Sequence, residues 1–250
     1  MIGDALFILQ GLNQGALPLL TAAIGLHGSA STWAFNVIRE LILASVGEDR
    51  VLAFYADDLE QLPGQDERVG RHLVIKSHHG SVGMDAWLAA GGARMILSVR
   101  DPRDASLSMA QRFGRPLSQT LRWVAADCRR LEKLATRGCA LLRYEDRPFD
   151  RPQAVAELAA TLEVSASAAT LAAIFDRYRT EAVRVFASNL ENLPADQLVN
   201  GEFPMDKVTQ ILAPHIGDAR SGKWRDLPPA TGGELTRFFG PFLDRFGYER

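Results

Sequence analysis

The sequence has little cysteine and no strong excess of one charge, and these absences exclude several classes of protein. Of 250 residues only two are cysteines, Cys128 and Cys139, and no histidine or cysteine accompanies them at a metal-ligand spacing. This excludes a disulfide-rich secreted domain and favours reduced thiols in a cytoplasmic protein. The formal net charge is −2 and no basic stripe stands out, so no nucleic-acid partner is expected.

One long segment lacks charge: residues 5–26 contain no Asp, Glu, Lys or Arg. The segment is long enough to span a membrane. However, the polar residues Asn13 and Gln14 and the helix-breaking Pro18 interrupt it. No Lys or Arg precedes Arg39 to form the basic start of a signal peptide. We therefore expect a buried strand with a lead-in segment and no stable membrane insertion; a membrane segment is the less favoured alternative.

Short apolar runs alternate with longer amphipathic runs along the chain, which is typical of α/β proteins. Several of the short runs are apolar nearly throughout, as parallel strands covered on both faces must be. The pattern predicts one domain over residues 1–250, a three-layer α/β sandwich with a central parallel sheet and a P-loop-like strand–loop–helix. The predicted strands are residues 20–26, 51–54, 72–75, 94–99 and 140–143, and the predicted helices are residues 33–46, 118–136, 157–162, 168–179 and 233–248, the last kinked at Gly240 and Pro241.

Between residues 189 and 226 the helical periodicity gives way to Asn, Pro, Gly and charged residues. A structureless stretch of this length in a compact chain is usually functional. We therefore expect this segment to be a lid over a substrate or cofactor site. Because variable loops usually build substrate pockets, residues 57–71 and 189–205 are the expected walls of the acceptor pocket.

The first candidate site is the stretch "GLHGSASTW", residues 25–33, between a predicted strand and a predicted helix. Its small residues would let the backbone come close to a ligand, and Ser29, Ser31 and Thr32 add hydroxyl groups. The free N–H groups and the positive end of the helix would point at a bound anion. The stretch lacks the Lys that ends the P-loop signature of ATP and GTP enzymes, and an ordinary N-capped helix is the alternative.

The second candidate is "MILSVRDPRDASLSM", residues 95–109, which is typical of a strand followed by a helix. Asp101 suits the N-cap of that helix and Pro102 its first position. This places Arg100 at the carboxyl edge of the sheet, where ligands bind in open parallel sheets. Ser108 could face back from the helix, so that both side chains grip a terminal phosphate by charge-assisted hydrogen bonds. Ordinary capping chemistry is the alternative.

The third candidate, "VIKSHHG" at residues 74–80, brings Lys76, His78 and His79 to the same edge of the sheet. The lysine could neutralise charge on a transferring group, and one histidine could take a proton from a nucleophile. Metal binding is the competing interpretation, but no further spaced His or Cys completes a ligand set.

A fourth cluster, "ARSGKWRD" at residues 219–226, places Arg220, Ser221 and Lys223 around Gly222. The glycine permits a close approach, and the cations suit a phosphate that arrives from outside the sheet. A solvated loop is an equally supported alternative.

In this order, the four candidates resemble motifs of the sulfotransferases that use 3′-phosphoadenosine 5′-phosphosulfate (PAPS). The resemblance extends from about residue 20 to the C-terminus. The family's phosphosulfate loop, Lys/Arg-Ser-Gly-Thr/Ser-Thr-Trp, is similar to residues 28–33. Its 3′-phosphate motif, Arg-Asn-Pro-x-Asp-x-x-x-Ser, is similar to residues 100–108, its Lys-Thr-His to residues 76–78, its Tyr-Glu-Asp to residues 144–146, and its Arg-Lys-Gly…Gly-x-Trp loop, with imperfect spacing, to residues 220–224.

The resemblance implies transfer of the sulfuryl group from PAPS to a hydroxyl or amine of a small-molecule or saccharide acceptor. The product would be adenosine 3′,5′-bisphosphate (PAP), and no metal would be needed. His78 is implied as the general base of an in-line displacement and Lys76 as the cation beside the sulfuryl oxygens. The implied cofactor-binding residues are Gly28, Ser29, Ala30, Ser31 and Thr32 at the 5′ end, Trp33 and Tyr144 near the adenine, and Arg100, Ser108, Arg220, Ser221 and Gly222 at the 3′-phosphate.

Two loop residues depart from the family pattern. Gly28 stands where the family has Lys or Arg, so the positive charge is expected from Lys76 and, when protonated, from His27. Ala30 replaces the loop glycine, which predicts a turn that avoids positive φ at this residue. Because the loop cation is missing, two other functions stay open: a P-loop kinase of a small metabolite that uses ATP and Mg²⁺, and a non-catalytic nucleotide-binding protein.

Overall fold

The structure is a computed structural model that describes residues 19–135, 138–199, 201–214 and 216–250. Its central sheet is made of β1 Leu20–Gly25, β2 Val51–Tyr55, β3 His72–Ser77, β4 Arg94–Val99 and β5 Ala140–Arg143. These strands pair in parallel in the order β2-β3-β1-β4-β5. The predicted parallel sheet is confirmed, and every predicted strand ends within two residues of an observed strand end.

The sheet brings three strand ends together at one edge. Strand β1 is buried along its whole length and lies between β3 and β4. Ile24 pairs with Ser77, and Gly25 pairs with Ser98, so the chain leaves all three strands at the same level. The strand order also changes direction beside β1, which is the place where open parallel sheets bind ligands.

Helices cover both faces of the sheet. One core contains Ala23 of the sheet and the buried faces of α1, α6, α7 and α8; the other contains Ile24 and the buried faces of α3, α4, α5 and α10. The α/β sandwich expected from the sequence is therefore observed. In the described residues the helices are α1 Ser31–Val46, α2 Gln65–Arg68, α3 Val82–Ala90, α4 Pro102–Phe113, α5 Leu117–Leu134, α6 Gln153–Thr161, α7 Ala168–Tyr178, α8 Thr180–Ser188, α9 Pro229–Phe238 and α10 Gly240–Phe246.

The C-terminal helix differs from its prediction. In place of one kinked helix over residues 233–248, the chain forms α9 and α10, which meet at Phe239. Pro241 lies in the first turn of α10, where its missing N–H is not needed. The proline therefore starts a new helix.

The segment from residue 189 to residue 226 is more ordered than the sequence predicts. It contains an antiparallel pair, β6 Leu198–Val199 and β7 Met205–Asp206, and short 3-10 turns. Side chains of α1 hold it: Asn36 Nδ2 donates to the carbonyl of Thr209 at 2.8 Å. Arg39 Nη1 donates to the carbonyl of Val208 at 2.5 Å. Its opening as a lid stays a prediction.

The lead-in segment expected before β1 falls on residues 1–18, which lie outside the described residues. Within the described part of the chain, no helix is both long enough and apolar enough to cross a membrane. The cytoplasmic location inferred from the sequence stays a prediction.

Candidate active site

The loop between β1 and α1 makes a tight, left-handed turn. Gly28 has φ 76° and Ala30 has φ 69°. The prediction that Ala30 avoids positive φ is therefore wrong. The chain must reverse from the sheet edge into α1 within a few residues, and this path needs a left-handed residue immediately before the helix. For an alanine the conformation costs about 1–2 kcal/mol.

The N-terminus of α1 is left without a cap. Ala30 occupies the N-cap position and has no side chain that could accept a hydrogen bond. The first intrahelical bond runs from the Ala34 N–H to the carbonyl of Ala30, so the N–H groups of Ser31, Thr32 and Trp33 have no backbone partner among the described residues. These donors, together with the helix dipole, favour an anion.

The uncapped N-terminus opens into a pocket at the carboxyl edge of the sheet. The residues that follow β1 and β4, the end of β3, helices α1 and α4 and the segment around residues 211–219 supply much of its wall. Its described lining is His27, Gly28, Ala30, Ser31, Thr32, Trp33, Asn36, Lys76, His78, Arg100, Ser108, Met109, Arg112, Phe113, Tyr144, Phe149, Tyr178, Thr180, Val183, Ile211, Leu212, Ile216, Gly217 and Ala219.

Arg100 lies at the entrance of α1, as the sequence predicts. It is 2% exposed, and its guanidinium donates from Nη1 to the carbonyl of Gly28 at 2.9 Å and from Nη2 to the carbonyl of Arg220 at 3.0 Å. The guanidinium carbon lies 3.9 Å from the ring centre of Tyr144. The strand β4 thus delivers a positive charge directly beside the loop of residues 28–33.

The pocket contains three cationic side chains that form no ion pair with a carboxylate of the described residues. Among the described residues, no carboxylate oxygen lies within 4.0 Å of a charged nitrogen of Lys76, Arg100 or Arg112. Burial, opposed by Asp57 and supported by Arg112, lowers the pKa of Lys76 to about 8. Burial and the neighbouring Arg100 lower the pKa of Arg112 to about 10. A bound polyanion would relieve both costs.

His78 is oriented as a base. Its Nδ1 lies 2.7 Å from the carbonyl oxygen of Gly25, which can only accept, so Nδ1 carries the proton and Nε2 carries the lone pair. Burial, and then the neighbouring His27 and Lys76, hold the pKa of His78 well below 6.5. The imidazole is therefore neutral near pH 7 and can accept a proton.

Asp57 fixes the backbone from which His78 projects. One carboxylate oxygen accepts from the Ser77 hydroxyl at 2.6 Å, from the His78 N–H at 2.8 Å and from the His79 N–H at 3.1 Å. The other accepts from the Tyr55 hydroxyl. Burial opposes ionisation, but these hydrogen bonds outweigh it and lower the pKa of Asp57. The sequence places Asp57 in an acidic loop and gives no signal of this role.

A second carboxylate, Asp127 on α5, holds two histidines. Its side chain is fully buried, and its two oxygens lie 2.8 Å from Nδ1 of His27 and 2.9 Å from Nδ1 of His79. The hydrogen bonds from these histidines overcome burial and lower the pKa of Asp127, while Asp127 raises the pKa of His79. The ring of His27 stacks on that of His78 with 4.1 Å between centroids.

The same cluster is a different possible metal site from the one considered in the sequence, because it includes His79 but not His78. Ligand atoms of His27, His79 and Asp127 lie within 4.8 Å of one another. The His27 contact is a charge-assisted hydrogen bond. The His79 contact has the distance of an ion pair, but Asp127 Oδ1 has no hydrogen-bond partner of regular geometry among the described residues. Metal binding at this cluster therefore stays an untested alternative.

Four residues expected at the cofactor do not line the pocket. The Ser29 hydroxyl donates to the carbonyl of Leu26 at 2.7 Å. The Arg220 guanidinium points outward to Asp226, and Ser221 is exposed. The Gly222 N–H donates to the carboxylate of Asp104. These four assignments stay predictions.

Comparison with known proteins defines the fold. No family model and no curated protein matches the chain, but solved structures show that it has the sulfotransferase fold. Mouse sulfotransferase SULT7A1, complexed with PAP, aligns at 12% identity over 96% of this chain and 88% of its own, with a TM-score of 0.61. Retinol dehydratase in complex with retinol and PAP aligns at 14% identity over 97% and 85%, with a TM-score of 0.57. The same enzyme in complex with androsterone and inactive cofactor PAP aligns at 14% identity over 97% of this chain and 84% of its own, with a TM-score of 0.56.

Proposed function

We propose that this protein transfers the sulfuryl group of PAPS to a hydroxyl or amine of a small-molecule or saccharide acceptor. The observation that carries the proposal is the group of unneutralised cations Lys76, Arg100 and Arg112 around the uncapped N-terminus of α1. Buried positive charge without a carboxylate partner favours a polyanionic ligand. The neighbours in fold are described with PAP, which carries two phosphates on one adenosine.

The donor would be held at both ends. Arg100 and Ser108, both buried and both lining the pocket, would bind the 3′-phosphate. The free N–H groups at the start of α1 would bind the 5′-phosphate, with the hydroxyls of Ser31 and Thr32 beside them. Trp33 and Tyr144 would pack against the adenine. A role for Arg220 would require its side chain to turn inward from Asp226.

In the transfer step, the acceptor oxygen or nitrogen attacks sulfur in line with the oxygen that links sulfur to the 5′-phosphate. A bond forms between the acceptor atom and sulfur, the bond from sulfur to the linking oxygen breaks, and PAP leaves with that electron pair. His78 Nε2 takes the acceptor proton. Lys76 stabilises charge on the sulfuryl oxygens, and a protonated His27 adds to this field. No step of this mechanism needs a metal.

A direct test compares ligands and then turnover. Thermal shift of the purified protein should show stabilisation by PAP and little by ATP with Mg²⁺. A PAPS-consumption screen over phenols, sterols, saccharides and amines should then identify an acceptor. Stabilisation by ATP–Mg²⁺ alone would favour the kinase alternative. PAP binding without PAPS turnover across the screen would favour the non-catalytic alternative.

A further inference from the structure

The side of Gly28 on which a side chain would stand faces the pocket. A Cβ atom there would have as neighbours Nη1 of Arg100 at 3.8 Å and Nη1 of Arg112 at 3.9 Å. Two guanidinium groups thus lie where a cation attached to residue 28 would begin. We propose that Arg112 supplies the positive charge missing at Gly28 and binds the 5′-phosphosulfate end of the donor. This inference rests on the proposed function.

Arg100 keeps some N–H donors for a phosphate, but only Arg112 has both of its terminal nitrogens without a partner among the described residues. Both Nη atoms of Arg100 already donate to backbone carbonyls. Arg112 donates from Nε to the carbonyl of Pro214 at 2.9 Å, and neither of its Nη atoms has a hydrogen-bond partner among the described residues. Since Arg112 lines the pocket, these free donors face the space that the nucleotide would occupy.

Two contacts hold the side chain of Arg112 in this direction. The carbonyl of Pro214 fixes Nε. Gly217 lies against the aliphatic part, because a Cβ there would be 3.4 Å from Cδ and 3.5 Å from Cγ. The arginine is therefore clamped by the segment that covers the pocket. A clamped guanidinium loses little side-chain entropy when it binds an anion.

Arg112 interacts electrostatically with the two other cations of the pocket. Arg112 is one turn beyond Ser108 on the same face of α4. Arg112 contributes to the lowered pKa of Lys76, and Arg100 contributes to the lowered pKa of Arg112. Arg112 is thus near both other cations of the pocket, and its Nη1 lies beside Gly28, where the resemblance places the 5′-phosphosulfate.

The test compares two isomeric ligands on a neutral variant. Calorimetric affinities would be measured for PAP, adenosine 5′-monophosphate and adenosine 3′-monophosphate with the native protein, Arg112→Met and Arg112→Lys. Arg112→Met should weaken PAP and the 5′-monophosphate by about 10- to 100-fold, because a charged hydrogen bond is lost, and the 3′-monophosphate by about 2-fold. Arg112→Lys should recover most of the loss. Arg122→Met, an exposed arginine on α5, is the matched control and should bind all three ligands normally.

Each other outcome overturns a distinct statement. An equal loss for the 3′-monophosphate would assign Arg112 to the 3′-phosphate or to structure alone. Unchanged affinities in Arg112→Met would refute the role of Arg112 and leave the proposed function standing. A native protein that binds none of the three ligands would refute both. If Arg112→Met does not fold, Arg112→Gln, which keeps a donor for Pro214, replaces it.

Discussion

The two halves of the pocket treat charge in opposite ways. On the half formed by the exits of β1 and β3, each carboxylate holds hydrogen-bond donors in place: Asp127 holds His27 and His79, and Asp57 holds the backbone of His78. These bonds fix ring positions and proton positions. This half is therefore built to orient groups that exchange protons.

The other half, around the N-terminus of α1, has cations that are not paired with a carboxylate in the part of the chain that the structure describes. Lys76, Arg100 and Arg112 surround the free N–H groups of α1, and in the described residues no acidic side chain pairs with them. Under the proposed function, one half is complete in the protein alone, whereas the other would be completed by an anion from outside. Each prediction below changes one half and measures whether the other responds.

The largest effect is expected from His78 in the paired half. His78→Ala should lower kcat by about 10²- to 10⁴-fold, because the acceptor proton loses its base. The affinity for PAP, measured by calorimetry, should stay within about 3-fold, since Arg100 and the α1 N-terminus are untouched. Near-native turnover in this variant would show that His78 is not the base, and His79→Ala would then be the first replacement to measure.

The next largest effect is a pH dependence of kcat/KM that arises from Lys76, in the half of the pocket with the cations. The pKa of Lys76 is lowered to about 8 in the free protein, and anion binding needs the protonated ammonium. The value of kcat/KM for PAPS should therefore be highest between the pKa of His78 and pH 8, and it should fall by about tenfold per pH unit above pH 8. Lys76→Arg should remove this fall, because a guanidinium stays charged. A decline above pH 8 that persists in Lys76→Arg would assign it to another group.

The strands and the residues at their ends were open to prediction from the sequence. Apolar runs located all five strands of the sheet. Because the carboxyl ends of parallel strands lie at one edge of a sheet, the sequence alone predicts that Lys76, His78 and Arg100 lie near one another. The turn at Ala30 was not predictable in this way, since residue preference argued against positive φ and the geometry of the strand–helix reversal prevailed.

Residues on helices were much harder to assign. Asp127 contacts His27, which is 100 residues away in the sequence. Within α5, Asp127 looks like an ordinary polar residue of an amphipathic helix, so its role could not be predicted. The proposed role of Arg112 likewise depends on its position beside Gly28, which the sequence does not reveal. The assignment of Arg220 stays a prediction, and its exposed guanidinium pairs with Asp226, six residues later. The sequence pattern therefore predicts where strands end well, but it predicts contacts between distant helices poorly.

A smaller effect is expected from the carboxylate that holds the histidines. Asp127→Asn should lower the pKa of His79, which Asp127 raises in the folded protein. In the native protein this pair stabilises the fold at pH below 6.5 and loses its contribution as pH rises through the folded pKa of His79. The variant should lack that part of the pH dependence in urea unfolding. Proton NMR titration of His79 checks the cause, and an unchanged pKa would exclude the carboxylate as the source.

The smallest expected effect concerns the loop that joins the two halves. Ala30→Gly should raise the free energy of unfolding by up to about 1 kcal/mol, because glycine removes the cost of φ 69° but loses more backbone entropy on folding. For a chain of this size the midpoint of thermal unfolding would rise by about 2–4 °C. Ala44→Gly, at an exposed position inside α1, is the matched control and should destabilise by about 1 kcal/mol. If both variants lost the same stability, Ala30 would carry no left-handed strain, and the reversal between sheet and helix would have to be accommodated elsewhere in residues 25–33.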